Sequence, residues 1–218
     1  MKAMILAAGR GERMLPLTRD LPKPLLPIGE TTLIQRHLSR LAESGVESVV
    51  INLHFFGEKI QQLLGNEQFG LAIEYSFEAE LLETAGGIYA ALPLLGNSPF
   101  LVVNADIFTD FDFGSLLVLD QIKRPHLIMV PNPEHHPQGD YGVDDSGLLT
   151  PSKPMYTYSG MGVYPPSFFS TMSHGKLILR PLFDAAVEVG HITGQVFRGE
   201  WTDVGTPKRY ERLKARFR

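Results

Sequence analysis

The chain has 218 residues, 44% hydrophobic and 20% charged, with a formal net charge of −4 and no cysteine. That length suits one α/β domain with a sizeable core, and the absence of cysteine excludes disulfides and thiolate metal sites. Nucleic-acid and membrane partners find no support: the cations gather only in the tail Arg209–Arg218, which reads as a solvated helix face, no apolar run approaches the ~20 residues of a membrane span, and glycine and arginine interrupt the first one too early for a signal peptide. A cytoplasmic location is the expectation.

The apolar run from Lys2 to Ala8 reads as a buried strand. It feeds a loop in which Gly9 and Gly11 let the backbone turn sharply and approach a ligand. Arg13 and Lys23 follow, with prolines stiffening the segment around them. Glycines, exposed N–H groups and cations in one loop suit a polyphosphate; Arg13 offers a planar fork for phosphate oxygens and Lys23 a mobile point charge. Thr31 or Thr32 caps a helix whose apolar residues Leu33, Ile34, Leu38 and Leu41 recur at helical spacing, ended by Gly45.

Strand Ser48–Leu53, helix Lys59–Leu64, strand Ala72–Phe77 and helix Gly87–Leu95 follow. Phe100–Val103 is a further apolar strand, ending in Asn104-Ala105-Asp106. This alternation predicts a layered α/β fold with a mostly parallel sheet. Ligands sit beyond the carboxyl ends of such strands, so Gly9–Arg13 and Asp106 share an edge. The second half is less regular. It reads as strand His126–Val130, a loop from Pro131 to Asp140, a hairpin Tyr141–Leu149 around Asp145-Ser146-Gly147, and strand Tyr156–Tyr164. Helix Leu179–Val189, strand Ile192–Phe197 and a terminal helix opened by Thr206-Pro207 complete the chain.

Several familiar chemistries drop out. Gly9-x-Gly11 lacks the third glycine of a dinucleotide fingerprint, Met14 standing there, and the second strand ends in Asn52-Leu53-His54 without an acidic residue. No Gly-Lys-Ser/Thr follows for a P-loop, and no Gly-x-Ser-x-Gly elbow or Ser-His-Asp set is present. Asp106, after an apolar strand, is a metal-ligand candidate or a helix cap. Asp203, within Trp201-Thr202-Asp203-Val204-Gly205-Thr206, is a second carboxylate, and two carboxylates with phosphate oxygens and waters suit Mg²⁺. Asp110 and Asp112 read as turn and cap residues, His135-His136 as loop surface, and Trp201 as core or pocket wall.

Together these segments resemble the sugar-1-phosphate nucleotidyltransferases. The matching pieces are Leu6-Ala7-Ala8-Gly9-x-Gly11-x-Arg13-Met14-x-Pro16-Leu17-Thr18, Pro22-Lys23-Pro24-Leu25, Glu80-x-x-Glu83-Thr84-Ala85-Gly86-Gly87, Asn104-x-Asp106 and Trp201-x-Asp203-Val204-Gly205-Thr206. Further runs, among them Ala91–Gly96, Thr109–Phe113, Asn132–His136 and Gly139-Asp140-Tyr141, are most similar to N-acetylmuramate-1-phosphate uridylyltransferases of peptidoglycan recycling.

The resemblance implies a Rossmann-like, GT-A-like α/β/α fold with a mixed, mostly parallel sheet. It implies one domain over 1–218, with a nucleotide-binding half at about 1–110 and a sugar-phosphate-binding half at about 111–218. Arg13 and Lys23 would be catalytic, and the nucleotide would meet Ala8, Gly9, Gly11, Glu12, Arg13, Lys23, Glu80, Gly86 and Asn104. Glu83, Gly87, Asp140 and Lys153 would meet the sugar phosphate, and Asp106 and Asp203 would ligate Mg²⁺. Many relatives carry Glu-Lys-Pro where this chain has Ser152-Lys153-Pro154, so the Glu contact is gone. The implied partners are a nucleoside triphosphate, UTP by this likeness, and a sugar 1-phosphate, N-acetylmuramate 1-phosphate by the same likeness, acting on a monomer or simple dimer. Mannose-1-phosphate guanylyl transfer and glucose-1-phosphate thymidylyl or uridylyl transfer are the alternatives within the family. A non-catalytic nucleotide-sugar-binding regulator is the alternative outside it.

Overall fold

Side chains of a strand alternate between faces, and the first strand shows what this one separates. In the computed structural model, which describes residues 1–217, β1 (Ala3–Leu6) sends Ala3 and Ile5 into one core and Met4 into another. The first core is closed by α1 (Leu33–Glu43) and, beyond β2 (Ser48–Leu53), by α2 (Gly57–Leu64). The second is closed, after β3 (Leu71–Phe77), by α3 (Glu83–Leu95), which packs on β1, β2 and β3. With β4 (Phe100–Asn104), these strands form a parallel sheet centre in the order β3-β2-β1-β4. Such an order places a switch point between β1 and β4, where the strand ends leave a crevice.

Further along the chain come β5 (Ile107–Thr109), β6 (His126–Val130), β7 (Tyr141–Val143), β8 (Leu149–Thr150) and β9 (Met155–Tyr164). After α4 (Arg180–Glu188) come β10 (Thr193–Val196), β11 (Trp201–Asp203) and α5 (Pro207–Lys214). β9 runs antiparallel beside β4, pairs with β6 and β7, and extends the sheet, while β10 lies parallel to β6. The fold is therefore the expected layered α/β arrangement with a mixed sheet that is parallel at its centre.

One local expectation is narrowed and two local features depart from what the sequence suggests. Of the two threonines offered as caps, Thr32 serves, through a reciprocal box in which Gln35 N donates to Thr32 Oγ1 and Thr32 N to Gln35 Oε1. Helix α3 starts at Glu83, four residues before the predicted Gly87, although Gly86-Gly87 is a poor helix start. Its first free N–H groups, those of Ala85 and Gly86, donate to Leu177 O at 2.9 and 3.0 Å, so a tertiary partner outweighs local propensity. β5 and β11 form an antiparallel ribbon, three residues each, that no periodicity announced.

The end of the chain returns to its beginning. Val204, Tyr210 and Leu213 pack with Met14, Leu26, Ile28, Leu33 and Phe108, and Tyr210 Oη donates to Pro27 O at 2.8 Å.

Candidate active site

The loop after β1 is held from below and from within. Met14 is fully buried, and Gly11, at φ +64, turns so that its carbonyl accepts from both Thr18 Oγ1 and Met14 N at 2.8 Å. A side chain at Gly11 would strain this conformation and press on Thr18 and Lys23. Pro22 and Pro24 flank Lys23 in a short helical turn anchored by buried Leu25 and Leu26, so Lys23 is nearly buried. Its ammonium donates to Asp106 Oδ2 at 2.5 Å.

The ribbon brings the backbone around Asp203 beside that of Asp106. Asp203 pairs in register with Ile107, and Val204 N donates to Asp106 O at 2.7 Å. Arg209, three residues into the cap of α5, clamps Asp203: its Nε donates to the Asp203 carbonyl at 3.0 Å and its guanidinium to Oδ2 at 2.7 Å. The other oxygen, Oδ1, is buried without an aligned hydrogen bond, and His135 Nε2 stands 3.1 Å from it.

A third set of contacts supports the loop from β2. Asn52 Oδ1 accepts from Ala7 N at 2.8 Å, while Asn52 Nδ2 donates to Glu78 Oε1 at 2.7 Å. The second Glu78 oxygen accepts from Leu82 N at 2.9 Å, and the Glu78 carbonyl faces His54 Nδ1 at 2.9 Å. One buried carboxylate thus ties the loop after β1 to the start of α3. Opposite, Gly160 sits at φ +84 in a bulge of β9, and a Cβ there would lie 2.7 Å from Asn104 Nδ2. Trp201 Nε1 donates to Ser159 O in the same bulge, joining β11 to β9.

These walls enclose a cleft of about 1020 Å³. Of the sequence-predicted residues, Ala8, Gly9, Gly11, Glu12, Arg13, Lys23, Glu80, Glu83, Asn104 and Asp106 line it. Arg13 is exposed and forms no ion pair among the described residues.

The other predicted residues, Gly86, Gly87, Asp140, Lys153 and Asp203, lie outside the cleft lining. Gly86 and Gly87 are buried packing positions behind the cleft wall: a Cβ on Gly86 would meet Gly175 O at 2.2 Å, and one on Gly87 would meet Glu78 Oε1 at 2.7 Å. Asp140 is engaged by Arg180 at 2.9 Å, His136 at 3.3 Å and Tyr158 N at 2.8 Å, and Lys153 is exposed between β8 and β9, outside the cleft wall. His135 and His136 are loop-surface residues as expected, and from there their rings reach Asp203 and Asp140. Asn52, Glu78, Arg209 and Lys176 were not anticipated. Asn52 had a signal, since it ends a strand on the ligand edge, whereas the others depend on long-range packing.

Two titrating groups behind the site are shifted. Burial pulls His37 down to about 4, and its Nε2 faces Ile107 O at 2.9 Å, directly behind Asp106. Burial pushes Tyr141 up, helped by its hydrogen bond to Asp184.

Comparison with known proteins agrees with this architecture. The family model described as Nucleotidyl transferase matches residues 2–217. The N-acetylmuramate alpha-1-phosphate uridylyltransferase of Neisseria meningitidis serogroup B is 43% identical over 99% of this chain and 97% of its own length. The protein of the same name from Caulobacter vibrioides is 33% identical over 94% of this chain and 92% of its own. A mannose-1-phosphate guanyltransferase of Gibberella zeae is 30% identical, but this chain spans only 62% of it. Among solved structures, HddC from Yersinia pseudotuberculosis superposes with a TM-score of 0.84 at 20% identity, covering 100% of this chain and 99% of that one; this likeness speaks to the fold.

Proposed function

Because the chain belongs to the nucleotidyl transferase family and is a sugar-1-phosphate nucleotidyltransferase, we propose that it transfers a uridylyl group from UTP to N-acetylmuramate 1-phosphate, releasing pyrophosphate. The observation carrying the chemistry is Asp106 on the cleft wall, paired with Lys23, with the β11 ribbon bringing Asp203, itself outside the cleft lining, into register with neighbouring Ile107. The observation favouring this acceptor is the near-full-length identity to the Neisseria enzyme.

The residues fit a divalent cation. Asp203 Oδ1 is a buried acceptor lacking an aligned donor, and Asp106 is only partly occupied by Lys23. No cluster of three or more His, Asp or Glu side chains suited to a metal occurs among the described residues, so phosphate oxygens and waters would complete the shell, the habit of Mg²⁺. Mg²⁺ so held would neutralise triphosphate charge and polarise the phosphoryl group under attack.

The chain's own residues supply the rest. A phosphate oxygen of the acceptor attacks the α-phosphorus as the bond to pyrophosphate breaks in line. That nucleophile is already largely ionised, a monoester's second pKa being ~6, so no general base is needed. Arg13 and Lys23 offset repulsion between the two anions. The loop after β1, fixed by Gly11, Met14 and Asn52, aligns the donor. Peptidoglycan recycling in the cytoplasm, as a monomer or simple dimer, is the setting this reaction suits. No helix among the described residues is long and apolar enough to cross a membrane.

The test is pyrophosphate release from four nucleoside triphosphates against a panel of sugar 1-phosphates. UTP with N-acetylmuramate 1-phosphate is the expected best pair. A clear preference for GTP with mannose 1-phosphate would overturn the assignment, and ligand binding without any release would mark a regulator.

A further inference from the structure

Beside the cleft, and sharing Glu83 and Lys176 with it, lies a second cavity of about 390 Å³. Its other walls are apolar: Met172, Leu177, Ile178, Pro181 and Leu182. The segment that forms it is fixed by backbone contacts. Leu177 N donates to Leu82 O at 2.9 Å, Leu177 O accepts from Ala85 and Gly86, and Leu179 N donates to Thr84 Oγ1 at 3.1 Å. Leu177 and Ile178 nonetheless remain 37% and 52% exposed. The backbone is pinned while the side chains face open space.

Lys176 is the cation common to both cavities. Its ammonium stands 3.8 Å from Glu83 Oε1 and its side chain is 68% exposed, a loose association that water weakens. The neighbouring cation, Arg180, is already committed to Asp184 at 2.8 Å and Asp140 at 2.9 Å. Glu83 itself is held at φ +63, where a residue with a Cβ is strained, and such strain gathers at ligand sites. The first turn of α4 supplies Pro181 and Leu182 to the cavity, and the same turn, through Arg180, holds Asp140, which the family resemblance sets toward the sugar.

An apolar wall ending in a loosely held ammonium matches an anion on a short alkyl stem. The donor carries no such group. The acceptor proposed above does: the lactyl ether on its sugar ring, a methyl-bearing carbon that ends in a carboxylate. We infer that this cavity is the subsite for that lactyl group. Lys176 exchanges Glu83 for the lactyl carboxylate, and Leu177 and Ile178 cover its methyl group. In the free enzyme Glu83 keeps the ammonium at the border of the two cavities. This subsite rests on the acceptor reading and adds to it the residue that recognises the distinguishing substituent.

The experiment compares N-acetylmuramate 1-phosphate with N-acetylglucosamine 1-phosphate, the same ring without the lactyl group. With UTP and Mg²⁺, each acceptor's affinity is read as KM or as an inhibition constant for the wild type, Lys176→Met, Lys176→Arg and Arg180→Met. The wild type should favour the lactyl acceptor. Lys176→Met should shrink that preference roughly ten- to hundredfold, as loss of a charged hydrogen bond implies, and Lys176→Arg should retain most of it. An unchanged preference in Lys176→Met, or a loss confined to Arg180→Met, would overturn the role of Lys176. A wild type that uses both acceptors equally would overturn the subsite while leaving the acceptor reading intact. A wild type inactive on the lactyl acceptor but active on another sugar would overturn both.

Discussion

Lys23 Nζ lies 2.5 Å from Asp106 Oδ2 although 83 residues separate them in sequence, so the cation of the first loop and the carboxylate after β4 are one unit. The pair holds the nearly buried ammonium against a carboxylate on the cleft wall. Lys23→Ala should lower kcat by roughly a hundredfold, the order expected when a charge contact to the transition state is lost. Asp106 keeps solvent access, so circular dichroism should report an intact fold. Asp106→Ala should cost turnover by a similar factor. Near-wild-type rates in both variants would remove this site from consideration.

Arg209 offers a test that does not depend on turnover. It fixes both the carbonyl and one carboxylate oxygen of Asp203. Arg209→Leu should weaken Mg²⁺ affinity about ten- to hundredfold, as is usual when the partner of a ligand is removed. Asp203→Asn should weaken it at least as much. Calorimetric titration of Mg²⁺ with a non-hydrolysable UTP analogue reads both, and unchanged affinity would argue against Asp203 as a ligand.

Gly86→Ala reverses an ordinary rule. On an open helix the change would help by about 1 kcal/mol, yet here the new Cβ would stand 2.2 Å from Gly175 O, a backbone atom with little room to yield. Stability should fall by about 1–3 kcal/mol, the usual cost of overpacking, seen as a lower urea midpoint. A stabilised variant would mean that the segment around Gly175 is not pinned as described.

His37 sets a pH dependence. Its folded pKa, about 4, lies below the ordinary value of 6.5, so the unfolded chain binds the proton more readily. The associated stability is present above pH 6.5 and is lost as the pH falls toward 4. Between pH 7 and pH 5 the loss should be about 2 kcal/mol. Chemical denaturation of the wild type and His37→Gln at both pH values checks this: the variant should show the smaller pH effect. Equal slopes would show that His37 is not held neutral.

Much of the cleft around the first loop was legible because its signals are local. Gly9, Gly11, Arg13, Lys23 and Asp106 follow strand ends, and strand ends on one edge of a parallel sheet must meet. Thr32 and Gly45 marked α1 through capping chemistry. The surroundings of Asp140 and Gly86 were less legible because their contacts are remote. Asp140 is held by a helix that starts forty residues later, and Gly86 is glycine because another segment's carbonyl crosses it. The ribbon of β5 and β11 is too short to show a period, and Arg209 becomes informative only once that ribbon places Asp203.

The same ribbon draws distant parts of the chain together. Thr109 and Trp201 are register partners, so everything between them leaves and re-enters at a single point, while α5 closes back onto the first loop. The intervening stretch is joined to the rest by the pairing of β9 with β4, by the Leu177–Leu179 segment on the start of α3 and by both hydrophobic cores. Strand pairing, segment contacts and shared cores together make the closing of the ribbon a late, long-range event that the whole chain must have folded to reach.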